Sequence, residues 1–317
     1  MSVLSPVKLS PAFKDYLWGG ERLRTDFHKQ SDLVPLAESW ELSAHRDGES
    51  TVSGGEFDGL SLTAYLEAIG GKRALGTHAD RFDYFPVLIK FIDAKKDLSV
   101  QVHPDDAYAL EHEGEYGKTE MWYVLDCEEG AALYYGFSRD VTKEEYATAI
   151  QNGTLTDLLC RVPVRKGDVF FIPAGTVHAI GAGIVICEIQ QNSNTTYRVY
   201  DYNRRDKDGN LRPLHVEKAL AVSSLGKAPE RYSLPDAAEV RIATSEYFKV
   251  TRLRVHERLP QYISVYSFHA LTVTEGSGVL ITNEEEIPFR KGDTIFIPAQ
   301  TAKYVLEGTC ELILTQI

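Results

Sequence analysis

Cysteine is scarce: only Cys127, Cys160, Cys187 and Cys310 occur in 317 residues, and none forms a CxxC pair. Each sits in an apolar or strand-like run, the expected place of a small reduced core residue in a cytosolic protein. Long hydrophobic runs are missing too. No stretch approaches the roughly 20 apolar residues needed to cross a bilayer, so no membrane span is expected. The N-terminal MSVLSPVKLSPAF has no basic segment followed by an apolar one, which argues against secretion and for a cytoplasmic location. Basic residues are in the minority, with 34 Lys and Arg against 46 Asp and Glu and a formal charge of −12. That balance argues against nucleic acid or an anionic membrane as the main partner. It also gives no bulk attraction to a phosphorylated metabolite, so an anionic substrate needs a local cluster of Lys and Arg.

What the chain does have is strand-forming sequence. Runs such as FPVLIKFIDA, EMWYVLD, AALYYGF and GIVICEIQQ are rich in Val, Ile, Phe and Tyr and are punctuated by Gly, Pro and Asp. This is the pattern of a β-sandwich or barrel. Helical periodicity is confined to residues 60–70, to 142–162 with a break at Asn152-Gly153, and to 213–222 with Pro213 near its start. Residues 223–240 hold two prolines and little periodicity, and read as a linker. They divide a catalytic segment, 1–222, from a smaller β segment, 241–317.

One unit occurs on both sides of that linker. KGDVFFIPAGTVHAIGAG starts at Lys166 and KGDTIFIPAQTAKYVLEG at Lys291. Gly167 aligns with Gly292, Asp168 with Asp293, the Ile-Pro-Ala at 172–174 with that at 297–299, and Thr176 with Thr301. A repeated strand–corner–strand unit predicts two similar barrels. Gly175 becomes Gln300 in the second copy and His178 becomes Lys303, so folding alone does not require the histidine. A lysine there is incompatible with holding a metal unless deprotonated, and the second barrel is expected to be metal-free.

The first copy fits G-x5-P-x-G-x2-H, the second signature motif of the cupin barrels, which lays His178 against the barrel interior. A histidine in a strand run is more often a satisfied core residue than a ligand. LSVQVHPDD changes the balance: Gln101 and His103 are two apart on a strand and so share a face. Glu120 opens the next strand pattern, in GKTEMWYVLD. Two imidazoles, a carboxylate and an amide oxygen suit Zn²⁺, with Mn²⁺, Fe²⁺ or Co²⁺ also possible. The plainer reading leaves Gln101 and Glu120 as solvated polar residues.

These segments, with KDYLWGG, AESWELSAH, QQNSNTTYRVYDYNR and RPLHVEKAL, resemble the type I mannose-6-phosphate isomerases, in particular the short bacterial form, over essentially the whole chain. The resemblance implies a mainly β fold of two cupin-like jelly-roll barrels with a few peripheral helices. It also implies one zinc per chain and interconversion of mannose 6-phosphate and fructose 6-phosphate, with the chain a monomer or homodimer. It puts the metal ligands at Gln101, His103, Glu120 and His178, the catalytic residues at Arg198 and Lys118, and Lys90 in the substrate pocket. Lys90 and Arg198 are cations inside strand runs, where an unpaired charge is costly to bury; a stem on apolar surface with its head in water is the alternative. Two departures stand out. Gly117 and Asn194 occupy places where the longer branch has a histidine and an aspartate, so no proton-shuttle role carries over to them.

His45, His112 and His215 read as structural or exposed. Trp18 and Trp40 could line a sugar site, though core packing is the simpler role. Two other functions fit a cupin barrel: an Fe(II) dioxygenase, for which His103, Glu120 and His178 would form a two-His-one-carboxylate face, and a non-catalytic sugar-phosphate sensor.

Overall fold

The apolar runs become antiparallel strands in two sheets that share one core. The computed structural model describes residues 4–205, 209–228 and 234–317. One sheet has six strands in the order Val169–Ile172, Glu120–Cys127, Ile184–Gln191, Val87–Ala94, Glu38–Leu42 and Ala12–Lys14. The other has five, Leu159–Pro163, Ala132–Phe137, His178–Ala179, Val100–Val102 and Tyr197–Tyr200. Ile92, Trp122, Phe170 and Ile186 from the first pack with Leu133, Tyr135 and Val162 from the second in one buried cluster.

The six-stranded sheet is covered on its other face as well. Met121, Tyr123, Cys187 and Ile189 share a second cluster with Phe248, Phe268, Phe296 and Ile313 from the C-terminal part of the chain. Every residue of Val87–Ala94 and Ile184–Gln191 is consequently buried. Burial on both faces explains why these strands read as continuous apolar runs rather than alternating ones.

A nine-stranded sheet holds the rest. Its main path runs Glu239–Thr244, Lys249–Val255, Lys303–Gln316, His269–Ile281, Thr294–Ile297, Val7–Ser10 and Thr51–Ser53. The last two strands come from the 1–222 segment: Val7 pairs with Phe296 and Leu9 with Thr294. The chain therefore crosses the division read at 223–240. Within that stretch Ser224 donates to the Gly175 carbonyl and Ala228 to that of Phe137; residues 229–233 lie outside the described part.

The two copies of the repeat share their turn. Asp168 accepts from the Arg165 N–H and Asp293 from the Arg290 N–H, and Gly167 and Gly292 have φ of 88° and 92°. The corners diverge afterwards. Gly175 has φ 84°, and a Cβ added there would lie 2.8 Å from Ser224 Oγ and 2.9 Å from the Val222 carbonyl. Gln300 holds φ 72° with a side chain present, so positive φ alone is tolerable and crowding sets the first corner apart. Gly175→Ala is expected to cost about 2 kcal/mol and lower the denaturant midpoint; an unshifted midpoint would contradict this account.

The helices follow their caps. Leu62–Ala68 is capped by the Ser61 side chain. Lys143–Asn152 starts with a capping box between Thr142 and Glu145 and stops at left-handed Gly153. Beyond it the helical reading of 142–162 fails: one 3-10 turn, Leu155–Asp157, leads into the strand Leu159–Pro163, where β pairing with Ala132–Phe137 overrides the local pattern. The third helix is Val216–Val222. Asp106–His112, which periodicity did not announce, is capped by Asp105. Among the described residues no helix is long and apolar enough to cross a membrane.

Candidate metal centre and cleft

Strand register assembles the site. In the five-stranded sheet Gln101 lies directly opposite His178 on one side and Arg198 on the other, so the three side chains share a face. In the six-stranded sheet Glu188 lies between Lys90 and Trp122, with Glu120 opposite Gln190 on the next pair. The two rows meet in the space between the sheets. His103 stands one residue past Val100–Val102 and Lys118 two before Glu120–Cys127. Both are fixed by turns: Gly175 N–H donates to the His103 carbonyl and Lys118 N–H to that of Pro104.

His103, Glu120 and His178 bring one ligand atom each within 4.8 Å of one another, and all three are buried. Glu120 Oε1 is 3.2 Å from His178 Nε2, and Oε2 is 3.6 Å from His103 Nε2. The Nδ1 of His103 is 2.9 Å from the Thr195 carbonyl and that of His178 is 2.9 Å from the Thr176 carbonyl. Each Nδ1 then carries the hydrogen and each Nε2 lone pair faces the centre, the orientation a metal-ligating histidine needs. Gln101 Nε2 lies 3.4 Å from His178 Nε2; turning the amide by 180° presents its oxygen instead. Three of the residues picked from the sequence thus converge on one point, with the fourth, Gln101, beside His178.

Charge at that point is unbalanced in the way a cation would correct. Buried Glu120 has one cationic neighbour, Lys118, at its Oε2, and its Oε1, turned towards His178, has no donor. Burial, reinforced by neighbouring Glu188, holds its carboxyl well above the ordinary range. Burial takes His178 down to about 4 and His103 well below its usual value, with Lys118 adding to both, so the imidazoles are neutral and available as ligands. Lys118 Nζ lies 2.9 Å from Glu120, 3.2 Å from Glu188 and 3.3 Å from His103 Nε2. Burial pulls its pKa down, but the two carboxylates outweigh burial and hold it raised. Two buried neutral imidazoles beside a buried carboxylate whose Oε1 has no donor fit a divalent ion.

A cleft of about 280 Å³ adjoins this centre, close to the lower end of the roughly 300–1,000 Å³ usual for small-ligand sites. Lys90, Gln101, Lys118 and Arg198 all line it, with Tyr16, Trp18, Glu38, Glu188 and Arg212. Lys90 sits 3.7 Å from Glu38 and 4.8 Å above the Trp40 ring, whose N–H donates to the same carboxylate. Trp40 is fully buried and supports Lys90 from beneath, whereas Trp18 reaches the cleft wall. Arg198 Nε has no hydrogen-bond partner, and its Nη1 donates to the Pro213 carbonyl.

The remaining candidates divide. His45 is buried between Asp47 and Glu115, at 3.6 and 3.7 Å, and His112 is exposed and stacks on Tyr108. His215 buttresses Arg198: its N–H donates to the Arg198 carbonyl, and its Nδ1 accepts from the Arg198 N–H at 3.1 Å. Gly117 has no room for a side chain, since a Cβ would lie 2.4 Å from the Asp105 backbone; a histidine is excluded there sterically. Asn194 donates to Asp47 at 2.8 Å. Lys303 is exposed. Glu188, Glu38 and Arg212 were not among the residues singled out; a lone carboxylate within GIVICEIQQ was the available signal for the first.

The family described as phosphomannose isomerase type I, catalytic domain, matches residues 7–130, and that described as mannose-6-phosphate isomerase, cupin domain, matches 239–317. The chain is 41% identical to the mannose-6-phosphate isomerase ManA of Bacillus subtilis over 98% of its own length and 99% of the relative's. It is 37% identical to the mannose-6-phosphate isomerase of Streptococcus mutans, over 97% of both. A crystal structure of mannose 6-phosphate isomerase from Bacillus subtilis superimposes with a TM-score of 0.90 at 37% identity, covering 99% of this chain and 100% of that one. These matches favour neither the dioxygenase nor the sensor. Motif order, strand register and full-length relatives agree: the chain belongs to the type I phosphomannose isomerase family, whose members interconvert mannose 6-phosphate and fructose 6-phosphate.

Proposed function

We propose that the protein performs this isomerisation in the cleft beside a zinc ion held by Gln101, His103, Glu120 and His178. The observation that carries the reading is the ligand set, two Nε2 atoms and a buried carboxylate oxygen converging within 4.8 Å beside a cleft that Gln101 and Lys118 line. A mixed nitrogen and oxygen set of this size suits Zn²⁺. When bound, the ion supplies Lewis-acid polarisation of sugar oxygens.

The chain's own residues supply the rest. The reaction breaks the C2–H bond, forms a C1–H bond and turns the C1 carbonyl into a hydroxyl while the C2 hydroxyl becomes a carbonyl. It needs no outside oxidant. Arg198, permanently charged and with a free Nε, stabilises the negative charge that develops on the enediol oxygens. Lys118 donates from its ammonium to a sugar oxygen. A role as base would require its pKa to fall, which Glu120 and Glu188 oppose and which a neighbouring dication and Arg198 favour. Lys90 orients the sugar from the wall it shares with Glu38. Four free thiols support a cytoplasmic setting.

Metal analysis with a coupled assay for fructose 6-phosphate tests this. Stoichiometric zinc with isomerisation is the expected result; iron with oxygen uptake, or tight sugar binding without turnover, would overturn it.

A further inference from the structure

We infer that Arg212, held in place by Asp201, is the residue that reads the substrate's phosphate. This rests on the sugar-phosphate reading above. The cations lining the cleft are not equivalent. Lys118 faces Glu120 and Glu188, and Lys90 faces Glu38, so the inner end carries three carboxylates against two ammonium groups and suits a metal cation. The outer end is the reverse. Arg198 makes no ion pair among the described residues. Arg212 has one acidic partner, Asp201, which it shares with Arg204.

The geometry of that sharing matters. Asp201 is 5% exposed. Its Oδ2 accepts from Arg212 Nε at 2.7 Å and its Oδ1 from Arg212 Nη2 at 2.6 Å. This two-pronged grip fixes the plane of the guanidinium. Nη1 makes no hydrogen bond among the described residues, and Arg212 lines the cleft. Arg198 adjoins it closely enough for Arg212 to lower its pKa, after burial. The next residue, Pro213, accepts from Arg198 Nη1, and His215 makes two further hydrogen bonds to the Arg198 backbone. The spacing of the two arginines is thereby fixed. Two adjacent guanidiniums with donors to spare cost repulsion when empty and are matched by a dianion. Strand register places Arg198 beside Gln101 and Gln101 beside His178, and Arg212, next in sequence to the Pro213 that Arg198 bonds, joins this row at its Arg198 end. A sugar whose C1–C2 end sits at the metal and whose phosphate sits at Arg212 passes Arg198 on the way. Asp201 is a positioning residue; Arg212 makes the contact.

The test compares zinc-loaded wild type with Arg212→Ala, Arg212→Lys and Asp201→Asn. Steady-state kinetics with mannose 6-phosphate are read beside calorimetric binding of mannitol 6-phosphate, which has no carbonyl, and of unphosphorylated mannitol. Arg212→Ala is expected to weaken mannitol 6-phosphate binding about ten- to a hundredfold, to raise KM more than it lowers kcat, and to leave zinc content and mannitol binding unchanged. Arg212→Lys, which keeps the charge but loses the fork and guards against misfolding in the alanine variant, is expected to fall between. Asp201→Asn should shift KM in the same direction. Arg212→Ala or Arg212→Lys binding mannitol 6-phosphate as tightly as wild type would overturn the assignment. A wild-type protein that binds mannitol 6-phosphate through Arg212 yet does not isomerise would instead sink the isomerase reading and leave the phosphate assignment standing.

Discussion

Glu120→Gln is expected to abolish stoichiometric metal binding and lower kcat/KM by about three orders of magnitude, with little change in folding stability. The two effects separate because of where the carboxyl sits. Without a metal it is fully buried beside Glu188, and burial together with that neighbour raises its carboxyl above the ordinary range; an amide of the same shape relieves that crowding, while Lys118 keeps Glu188 as its ion-pair partner. Folding loses little. The metal loses an anionic ligand, and with it the charge stabilisation an electrophilic ion contributes, worth several kcal/mol or about a thousandfold in rate. Metal analysis of purified variant, a denaturant melt of its apo form and the coupled assay read the three quantities independently. A Glu120→Gln protein retaining one zinc per chain and near wild-type turnover would remove Glu120 from the centre. Exhaustive chelation of wild type is expected to imitate the loss, and zinc to restore it.

Arg198→Ala is expected to lower kcat about a hundred- to a thousandfold, the usual cost of removing one preorganised donor to a developing oxyanion, while zinc content stays near one per chain. Arg198 is not one of the ligands; its neighbours are Gln101 across the strand pair and the Pro213 carbonyl. Arg198→Lys is expected to recover only part of the rate, because an ammonium cannot reproduce a planar fork held by Pro213. Unimpaired turnover in the alanine variant would exclude the residue from the chemistry.

How far the sequence reached differed by residue. The convergence of the candidate ligands His103, Glu120 and His178 was legible because motif spacing and strand alternation pointed to the same side chains. Alternation placed Lys118 correctly for an incomplete reason: the strand begins only at Glu120, and the Pro104 carbonyl directs the residues before it. The same holds for His103, just beyond its strand. Glu188 stayed hidden because a carboxylate in an apolar run acquires a role only when both faces of its sheet are known to be covered. Arg212 lies in a segment without periodicity, where only the fold brings Asp201 to it. The helical reading of 142–162 failed beyond Gly153 for a related reason. Non-local pairing with Ala132–Phe137 decides the state of 159–163, and local propensity carries no information about distant partners.

The pairing of Val7 with Phe296 also governs the order of events at birth. As the chain leaves the ribosome, the strand Val7–Ser10 must wait without this partner until the distant Thr294–Ile297 has been translated. Loop closure over that separation is slow and leaves sticky intermediates exposed. The outer cover of the six-stranded sheet, with its phenylalanines, arrives in that same final instalment. The part of the chain that carries Phe248, Phe268 and Phe296 is thus no dispensable appendage: one face of the six-stranded sheet stays uncovered until it is made.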